Sequence, residues 1–412
     1  MKNAYLNLSL KQLMVMLFML PLLCIGSLQA QTFVSVKGPD IIDPKGHKLI
    51  LKGTNLGNWL VPEGYMFKFN DVSAPANIDL VFRQLVGPDE TIEFWNNYLD
   101  TYITEADIEY IKKSGANHVR LPFHYKMFTN EFYLNGENKG FIYLDRTIEW
   151  CKKAGLYVLL DMHCAPGGQT GDNIDDSYGY PFLFESASLK KQTVDIWRTI
   201  AERYKNEPTV IGYDLLNEPI AHYFSNKDSL NKLLEPLYKD ITAAIRESDK
   251  NHLVFIGGAQ WNTNFSMFGT PFDSKAVYTF HKYWMPVNEG EIWNVLEFRK
   301  KYNVPLYLGE SGENTDDWVK SFRELLDKHE ISWCFWPYKK MDNTKGMMNF
   351  KTPEYYNLIS SYATSDRSRY SNIRNHRPDI AKVRIAMKEF IANSAYKNCY
   401  VNEGYVKALG FK

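Results

Sequence analysis

The chain of 412 residues has no excess of charge of either sign and no second long apolar run beyond its N-terminus. Its 48 basic residues balance 48 acidic residues, and no basic run has the pattern of a surface that follows a phosphate backbone, which argues against nucleic acid as a partner. After residue 31 no stretch is apolar enough to span a bilayer. The composition therefore predicts a globular protein with one large core or two ordinary domains.

Cysteine is scarce. Of the five cysteines, Cys24 lies in the N-terminal apolar run, and the others are Cys151, Cys164, Cys334 and Cys399. They do not form the C-x-x-C pairs that structural zinc sites and redox motifs use. This pattern predicts free or buried thiols, without a disulfide framework, a bound metal or a cofactor.

The N-terminus predicts a secretory signal peptide over residues 1–30. Lysines precede the apolar run LMVMLFMLPLLCIG, and SLQA provides a cleavage site after Ala30. Lipoprotein processing at Cys24 and a membrane anchor are the alternatives, although the run is short for a bilayer span. We therefore expect the remaining chain to be exported to the periplasm, the cell surface or the extracellular space.

Eight short apolar runs alternate with amphipathic stretches of helical length. The runs are KLILKGTNLG (48–57), ANHVRLPF (116–123), LYVLLDMH (156–163), VIGYDLLNEP (210–219), HLVFIGG (252–258), AVYTFHKY (276–283), PLYLGESG (305–312) and SWCFWPYK (332–339). The helical candidates lie near 101–114, 145–154, 187–205, 228–248, 289–302, 316–329 and 378–393. Unbroken apolar runs are typical of parallel strands buried on both faces. The alternation predicts an α/β fold, a (β/α)8 TIM barrel with extended βα loops.

A hairpin precedes the first of these strands. The stretch FVSVKGPDIIDPKGHKLIL has glycine and proline turn signals, and we expect it to cap the bottom of the barrel. No linker rich in proline, glycine or serine divides the chain, which disfavours the alternative of two doubly wound domains. We predict one domain over 31–412 with a C-terminal extension of the last helix, and we assign no role to 351–377 or 394–412.

Polar and aromatic side chains follow nearly every predicted strand. The active site of such a barrel lies at the C-terminal ends of its strands. These ends carry Asn55 and Trp59, Arg120, His163, Asn217 and Glu218, His281 and Tyr283, Glu310, and Trp336 with Lys339. A purely structural barrel has no need of an acid, a base or a ring at so many strand ends. Three tryptophans are candidates for either subsites or core packing, namely Trp59, Trp261 and Trp284.

Two glutamates, Glu218 and Glu310, follow the fourth and seventh strands. If both face one cleft, they provide the anionic nucleophile and the proton donor that cleavage of a glycosidic bond requires. Burial and a nearby like charge can keep one carboxyl protonated near neutral pH. Taken singly, Glu218 could instead begin a helix and Glu310 could close a turn.

The motifs RLPF, DMH, NEP, HKY, GESG and WCFW, in that order, resemble glycoside hydrolase family 5, a group of retaining β-glycosidases, over about residues 34–395. The resemblance implies that Glu218 is the general acid/base and Glu310 the nucleophile. It implies that Asn217 binds the sugar 2-hydroxyl and that Trp336 forms a stacking floor for the sugar.

The same resemblance places four further side chains around the two carboxylates. Arg120 would lie near Glu310 and favour its ionised form, which agrees with a guanidinium that stays protonated. Tyr283 would donate to Glu310, while His163 and His281 would contact the sugar or the glutamates. Structural alternatives are an ion pair at Arg120, a core histidine at His163 and a packed ring at Tyr283.

Two segments resemble the exo-β-1,3-glucanase branch of that family. GTNLGNWLVPEGY (53–65) is similar to the branch's GVNLGGWL-x-x-E stretch and implies that Glu63 lies in the −1 subsite. HCAPGGQTGDNIDDS (163–177) is similar to its HGAPG loop and implies a sugar-binding role for Asp175. The sequence departs from the branch at Asn58 and by two additional residues before Asp175.

The resemblance therefore implies an exported retaining hydrolase of an oligo- or polysaccharide, a β-glucan or β-glucoside. Endo-acting β-1,4-glucanase or mannanase activity and a non-catalytic carbohydrate-binding barrel are the alternatives. A metal-dependent hydrolase on the same fold would need clustered ligands such as an HxH pair, which the sequence lacks.

Overall fold

The computed structural model describes residues 33–412, and a closed barrel of eight parallel strands forms its centre. In chain order, the strands up to the end of the barrel are Ser35–Lys37 (β1), Asp40–Ile42 (β2), Lys52–Asn55 (β3), His118–His124 (β4), Tyr157–Cys164 (β5), Val210–Asp214 (β6), Leu253–Gly257 (β7), Ala276–His281 (β8), Leu306–Glu310 (β9) and Ser332–Phe335 (β10). Each strand from β3 to β9 pairs with the next, and β10 closes on β3. The eight predicted strands and the (β/α)8 barrel are confirmed, whereas the predicted signal peptide lies outside the described residues.

Amphipathic helices cover the outside of the barrel. They are Glu105–Ser114, Gly140–Ala154, Ala187–Tyr204, Lys227–Ser248, Trp293–Tyr302 and Asp316–Lys328. The longest buries Leu230, Leu234, Leu237, Ile241 and Ile245 at the three- and four-residue spacing of one helical face. Within residues 33–412 no helix combines the length and the apolar character needed to cross a bilayer.

The hairpin of β1 and β2 closes the N-terminal end of the barrel. Its residues Val34 and Ile41 are buried in one apolar cluster with Leu51, Leu159 and Leu253, which lie at or near the starts of barrel strands. The two strands pair antiparallel with Ser35 opposite Ile42. The predicted cap at the barrel bottom is thus confirmed, and the opposite end is left open to solvent.

Two helices between β3 and β4, Pro75–Val86 and Pro88–Thr101, were not predicted. Each begins with a proline at its first position, a preferred start because proline has no N–H to leave unpaired there. Phe94 and Tyr98 of the second helix pack on the helix Ile380–Ser394, each with its ring centre 6.0 Å from that of Phe390. The predicted helix near 101–114 therefore begins later, at Glu105.

The chain after β10 folds back over these helices. It forms the strands Lys339–Met341 (β11), Met348–Phe350 (β12) and Tyr400–Val401 (β13), which make a three-stranded sheet. Its helices are Tyr356–Thr364, Tyr370–His376, Ile380–Ser394 and Glu403–Ala408. In the segments for which the sequence predicted no role, Tyr356–Thr364 packs on Pro75–Val86 and Ile380–Ser394, and Glu403–Ala408 packs on Asp316–Lys328.

Lys339, which the sequence placed among the polar residues at the barrel mouth, lies in a buried ion pair instead. Its Nζ is 2.7 Å from Asp107 Oδ1, and both side chains are fully buried. The ammonium also donates to the carbonyl oxygens of Tyr102 and Ser394. The pair therefore joins β11 to the helix Glu105–Ser114 and to the end of the helix Ile380–Ser394.

We expect Asp107→Ala to lower the free energy of unfolding by about 3–5 kcal/mol, because it leaves a buried ammonium without its counter-ion. Urea denaturation followed by circular dichroism measures this loss. The control is Glu90→Ala, which breaks an exposed pair with Arg384 and should cost about 1 kcal/mol or less. Equal losses in the two variants would contradict the structural role of Asp107.

Candidate active site

A cavity of about 800 Å³ opens at the C-terminal ends of the barrel strands. Seven of the residues predicted from the sequence line it: Glu63, His163, Glu218, His281, Tyr283, Glu310 and Trp336. Arg120 and Asn217 are fully buried and contact these residues from below. The polar strand ends are therefore gathered at one site.

The two glutamates face each other in this cavity. An oxygen of Glu218 and an oxygen of Glu310 lie within 4.8 Å of each other. Glu310 ends β9, whereas Glu218 lies four residues beyond β6 in a left-handed conformation, with φ of 46°. A separation of about 5 Å suits a nucleophile and an acid on either side of one anomeric carbon.

The conformation of Glu218 is held by the loop that follows β5. The hydroxyl of Thr170 donates to the carbonyl oxygen of Glu218 at 2.8 Å, and the N–H of Ile220 donates to the carbonyl oxygen of Gln169 at 2.8 Å. The next helix begins only at Lys227. Glu218 is thus part of a strained turn, as is common at functional sites, and does not begin a helix.

Arg120 links Glu310 to two buried aspartates. Its Nη1 lies 2.6 Å from Glu310 Oε1, its Nε 2.8 Å from Asp214 Oδ2 and its Nη2 3.0 Å from Asp161 Oδ1. Burial raises the pKa of both Asp161 and Asp214 to about 7. The sequence analysis missed these aspartates, although each interrupts an apolar strand, which is the signal that could have identified them.

Two asparagines complete the environment of this guanidinium. Asn55 Oδ1 accepts from Arg120 Nη1 at 3.0 Å, and Asn217 Oδ1 accepts from Nη2 at 2.9 Å. Asn55 also donates to the carbonyl oxygen of Gly309, next to Glu310. With its donors shared among these partners, Arg120 cannot rotate away from Glu310.

His281 and Tyr283 approach the two glutamates from β8. His281 Nδ1 lies 2.8 Å from Glu218 Oε1 and 3.7 Å from Glu310 Oε2. The hydroxyl of Tyr283 donates to Glu310 Oε2 at 3.1 Å. Burial lowers the pKa of His281 to about 3, so its imidazole is neutral at physiological pH.

His163 and Glu63 form the opposite wall of the cavity. His163 Nδ1 lies 2.7 Å from Asp161 Oδ2, and its Nε2 lies 4.0 Å from Glu63 Oε1. That Glu63 oxygen is buried without a hydrogen-bond partner among residues 33–412. Burial, followed by the charges of Glu310 and Glu218, raises the pKa of Glu63 well above its usual range. A sugar hydroxyl would supply the missing partner.

Trp336 is held in place between the loops of the barrel mouth. Its ring lies parallel to that of His163, with the ring centres 5.5 Å apart. Its Nε1 donates to the hydroxyl of Tyr65 at 2.7 Å. A Cβ at Gly57 would lie 2.5 Å from the indole, so only glycine fits there. The indole thus has a fixed orientation at the edge of the cavity.

Asp175, predicted as a sugar-binding acid, does not lie on the cavity wall. Its Oδ2 accepts from the backbone N–H groups of Thr170 and Gly171, and its Oδ1 accepts from that of Ser177. The carboxylate therefore orders its own loop. Asp172 of the same loop lines the cavity instead and accepts from a tyrosine hydroxyl, a shift consistent with the two additional residues before Asp175.

The three tryptophans without an assigned role divide between core and cavity. Trp59 is fully buried, and its Nε1 donates to the carbonyl oxygen of Leu99. Trp261 and Trp284 line the cavity, and Trp284 is 72% exposed. Of these three tryptophans, only Trp59 packs in the core.

The electrostatic environment gives the two glutamates different properties. Burial raises the pKa of Glu218 to about 7, whereas Glu310 is paired with the Arg120 guanidinium. Glu218, His281 and Glu310 also offer ligand atoms within 4.8 Å of one another, as a metal site would. The positive charge of Arg120 against Glu310 opposes a cation there. The arrangement instead suits an acid paired with an anionic nucleophile.

Comparison with known proteins agrees with this chemistry. The family model of cellulase, glycosyl hydrolase family 5, matches residues 82–342. A beta-xylosidase of Phanerodontia chrysosporium is 28% identical over 346 residues, which cover 74% of this chain and 71% of that protein. Endoglucanase C of Acetivibrio thermocellus is 33% identical over 313 residues, which cover 60% of this chain and 88% of that protein. A probable glucan 1,3-beta-glucosidase A of Aspergillus fumigatus is 30% identical over 284 residues, which cover 65% of this chain and 66% of that protein.

We expect the rate on a β-glycoside with a poor leaving group to fall as the pH rises through about 7, because Glu218 must be protonated to act as an acid and its raised pKa lies there. The pH dependence of kcat/KM measures this ionisation in the free enzyme. In Glu218→Gln the fall near pH 7 should disappear, since the titrating carboxyl is gone. A basic limb that persists unchanged in that variant would contradict the assignment.

Proposed function

This chain belongs to glycosyl hydrolase family 5, a family of retaining glycosidases, and we propose that it hydrolyses a β-glucan or β-glucoside through a covalent glycosyl-enzyme. The observation that carries the proposal is the approach of a Glu218 oxygen to a Glu310 oxygen within 4.8 Å inside one cavity. This spacing favours double displacement, because an inverting pair needs a wider gap to admit a water molecule.

In the first step Glu310 attacks the anomeric carbon while the glycosidic bond breaks. The leaving oxygen takes the proton of Glu218, so an ester to Glu310 and a free alcohol result. Arg120 holds Glu310 as its anion before the attack, and Tyr283 orients its second oxygen. Burial keeps a useful fraction of Glu218 protonated near neutral pH.

In the second step Glu218 acts as the base. It takes a proton from a water molecule whose oxygen attacks the anomeric carbon, and the Glu310 ester bond breaks to return the carboxylate. Two inversions at one carbon restore the β configuration. His281, at 2.8 Å from Glu218, provides a neutral hydrogen-bond partner in both steps.

The substrate is proposed from the relatives together with the cavity. Relatives named endoglucanase and glucan 1,3-beta-glucosidase support a β-glucan or β-glucoside. Exo action on a terminal sugar is favoured by Glu63, which lines the cavity with a buried oxygen that has no hydrogen-bond partner among residues 33–412 and can bind a sugar hydroxyl. Endo action is the second candidate, since the similarity to endoglucanase C extends over 313 residues.

We further propose that the enzyme acts outside the cytoplasm. The support is the N-terminal pattern of lysines, an apolar run and a small-residue cleavage site in residues 1–30. Mass spectrometry of the N-terminus of the exported protein would locate the cleavage site. An uncleaved N-terminus in the cell fraction would contradict export.

We expect Glu310→Gln to abolish turnover with the fold preserved, because an amide cannot attack the anomeric carbon. Glu218→Ala should lose about 10²- to 10⁴-fold in rate on substrates with poor leaving groups, and azide should partly restore its turnover. Steady-state kinetics and circular dichroism measure both effects. Glu297→Gln, an exposed glutamate distant from the cavity, is the matched control. Turnover near that of the wild type in Glu310→Gln would exclude this residue as the nucleophile.

We expect the first product to have the β configuration when hydrolysis is followed by NMR. A panel of laminarin, cellulose, mannan and aryl β-glucosides identifies the sugar and linkage. Exo action should release a single small product from the earliest time points, whereas endo action would first yield a range of oligosaccharides. Detection of the α anomer first would rule out double displacement.

A further inference from the structure

The turn after β7 adopts an unusual backbone conformation beside the cavity. Gln260, Trp261 and Asn262 have φ values of 50°, 61° and 58° in succession. Residues other than glycine rarely adopt this left-handed conformation, and three in a row are costly unless the surroundings require them. The conformation of this turn places the fully buried side chain of Asn262 against His281.

The contact between Asn262 and His281 is closely packed on both sides. A Cβ at Gly257 would lie 2.3 Å from Asn262 Oδ1, and a Cβ at Gly309 would lie 2.6 Å from His281 Nε2. Neither position has room for a larger residue. Gly257 on β7 and Gly309 on β9, the two strands on either side of β8, therefore hold the amide of Asn262 against the imidazole of His281.

The hydrogen bonds of His281 determine which of its ring nitrogens carries the proton. Asn262 Nδ2 faces His281 Nε2 at 3.2 Å, and an amide in this orientation donates, so Nε2 of the neutral ring accepts. The amide oxygen Oδ1 is buried without a hydrogen-bond partner among residues 33–412. Nδ1 then carries the hydrogen and donates it to Glu218 Oε1 at 2.8 Å. One amide on the β7 turn thus specifies the donor that faces Glu218.

We propose that Asn262 is a positioning residue that selects this tautomer of His281 and thereby keeps the acid proton of Glu218 on Oε2. This inference rests on the proposed role of Glu218 as the general acid. Glu218 lines the cavity, and Oε2 is the oxygen that His281 leaves free for the leaving group. In the opposite tautomer Nδ1 would accept, and the proton of Glu218 would be drawn onto Oε1, away from the substrate.

The hydroxyl of Thr279 lies near the same edge of the His281 ring. Thr279 Oγ1 is buried without a hydrogen-bond partner among residues 33–412. It lies 2.7 Å from the Cβ position at Gly309 that is also 2.6 Å from His281 Nε2. Because a hydroxyl can both donate and accept, Thr279 is compatible with either tautomer and does not select one.

Among the charged groups around His281, the carboxylate of Glu310 also favours a hydrogen on Nδ1. Glu310 Oε2 lies 3.7 Å from Nδ1, and Arg120 and His163 act on the ring from β4 and β5. Around Glu218 the titratable groups are His281 and Glu310, with His163, Arg120, Asp172 and Glu63 also acting on it or affected by it. None of the charged groups contacts Nε2, whose hydrogen-bond partner is Asn262.

The direct test is ¹⁵N NMR of the wild-type protein labelled at histidine. The proposal expects His281 to carry hydrogen on Nδ1 alone from pH 5 to pH 8. A spectrum with hydrogen on Nε2, or on both nitrogens, would overturn it. This measurement needs no substrate, so it tests the inference even if the proposed hydrolase activity fails.

The second test is Asn262→Gly, which removes the amide and tolerates a φ of 58°. We expect His281 to show hydrogen on Nε2 in part of the population. We also expect kcat/KM to fall about tenfold or more for a β-glucoside with a poor leaving group, but to change little for an activated aryl β-glucoside. A uniform loss on both substrates, or no change in the tautomer, would contradict the proposal.

The matched control is Asn264→Ala on the same turn. Asn264 bonds to Gln260 and to the N–H of Ser266 but does not contact His281. Asn264→Ala should therefore leave the tautomer of His281 unchanged, and the ratio of the kcat/KM values for the two substrates should stay at its wild-type value. If Asn264→Ala reproduces the effects of Asn262→Gly, distortion of the turn explains them and the proposal is wrong.

Discussion

The structure depends on a guanidinium buried inside the mouth of the barrel. Arg120 is fully buried and lies within 3.0 Å of carboxylate oxygens of Asp161, Asp214 and Glu310. A buried charge is tolerated only when it is paired and hydrogen-bonded, so these carboxylates and two asparagines must surround it. Because the partners come from β5, β6 and β9, Arg120 on β4 fixes the relative positions of half of the strands that form the site.

The same burial gives two neighbouring carboxylates opposite roles. Among residues 33–412 no guanidinium forms an ion pair with Glu218, and burial raises the pKa of Glu218 to about 7. Glu310 lies 2.6 Å from Arg120 and accepts from Tyr283. An acid and an anion can therefore exist side by side at neutral pH, as a mechanism with two carboxylates requires.

Much of the surrounding structure positions these groups without touching a substrate. Thr170 holds the strained turn of Glu218, Asp161 is shared between Arg120 and His163, and the β7 turn places Asn262 against His281. Left-handed conformations at Glu218 and Asn262 indicate that the chain accepts local strain to set side-chain direction. The barrel strands form a rigid support, and the loops set the directions of the side chains in the cavity.

The eight strands, the six helices that cover the barrel and the two glutamates at strand ends can be read from the sequence, because burial on both faces of a strand leaves an unbroken apolar run and a polar residue at its end is conspicuous. Which polar side chains reach the cavity depends on the folded chain. Asp175 turns into its own loop, Lys339 pairs with Asp107, and Trp59 enters the core. The physical reason is that periodicity reports whether a segment is buried, whereas the direction of a loop side chain depends on backbone hydrogen bonds made with residues remote in the chain.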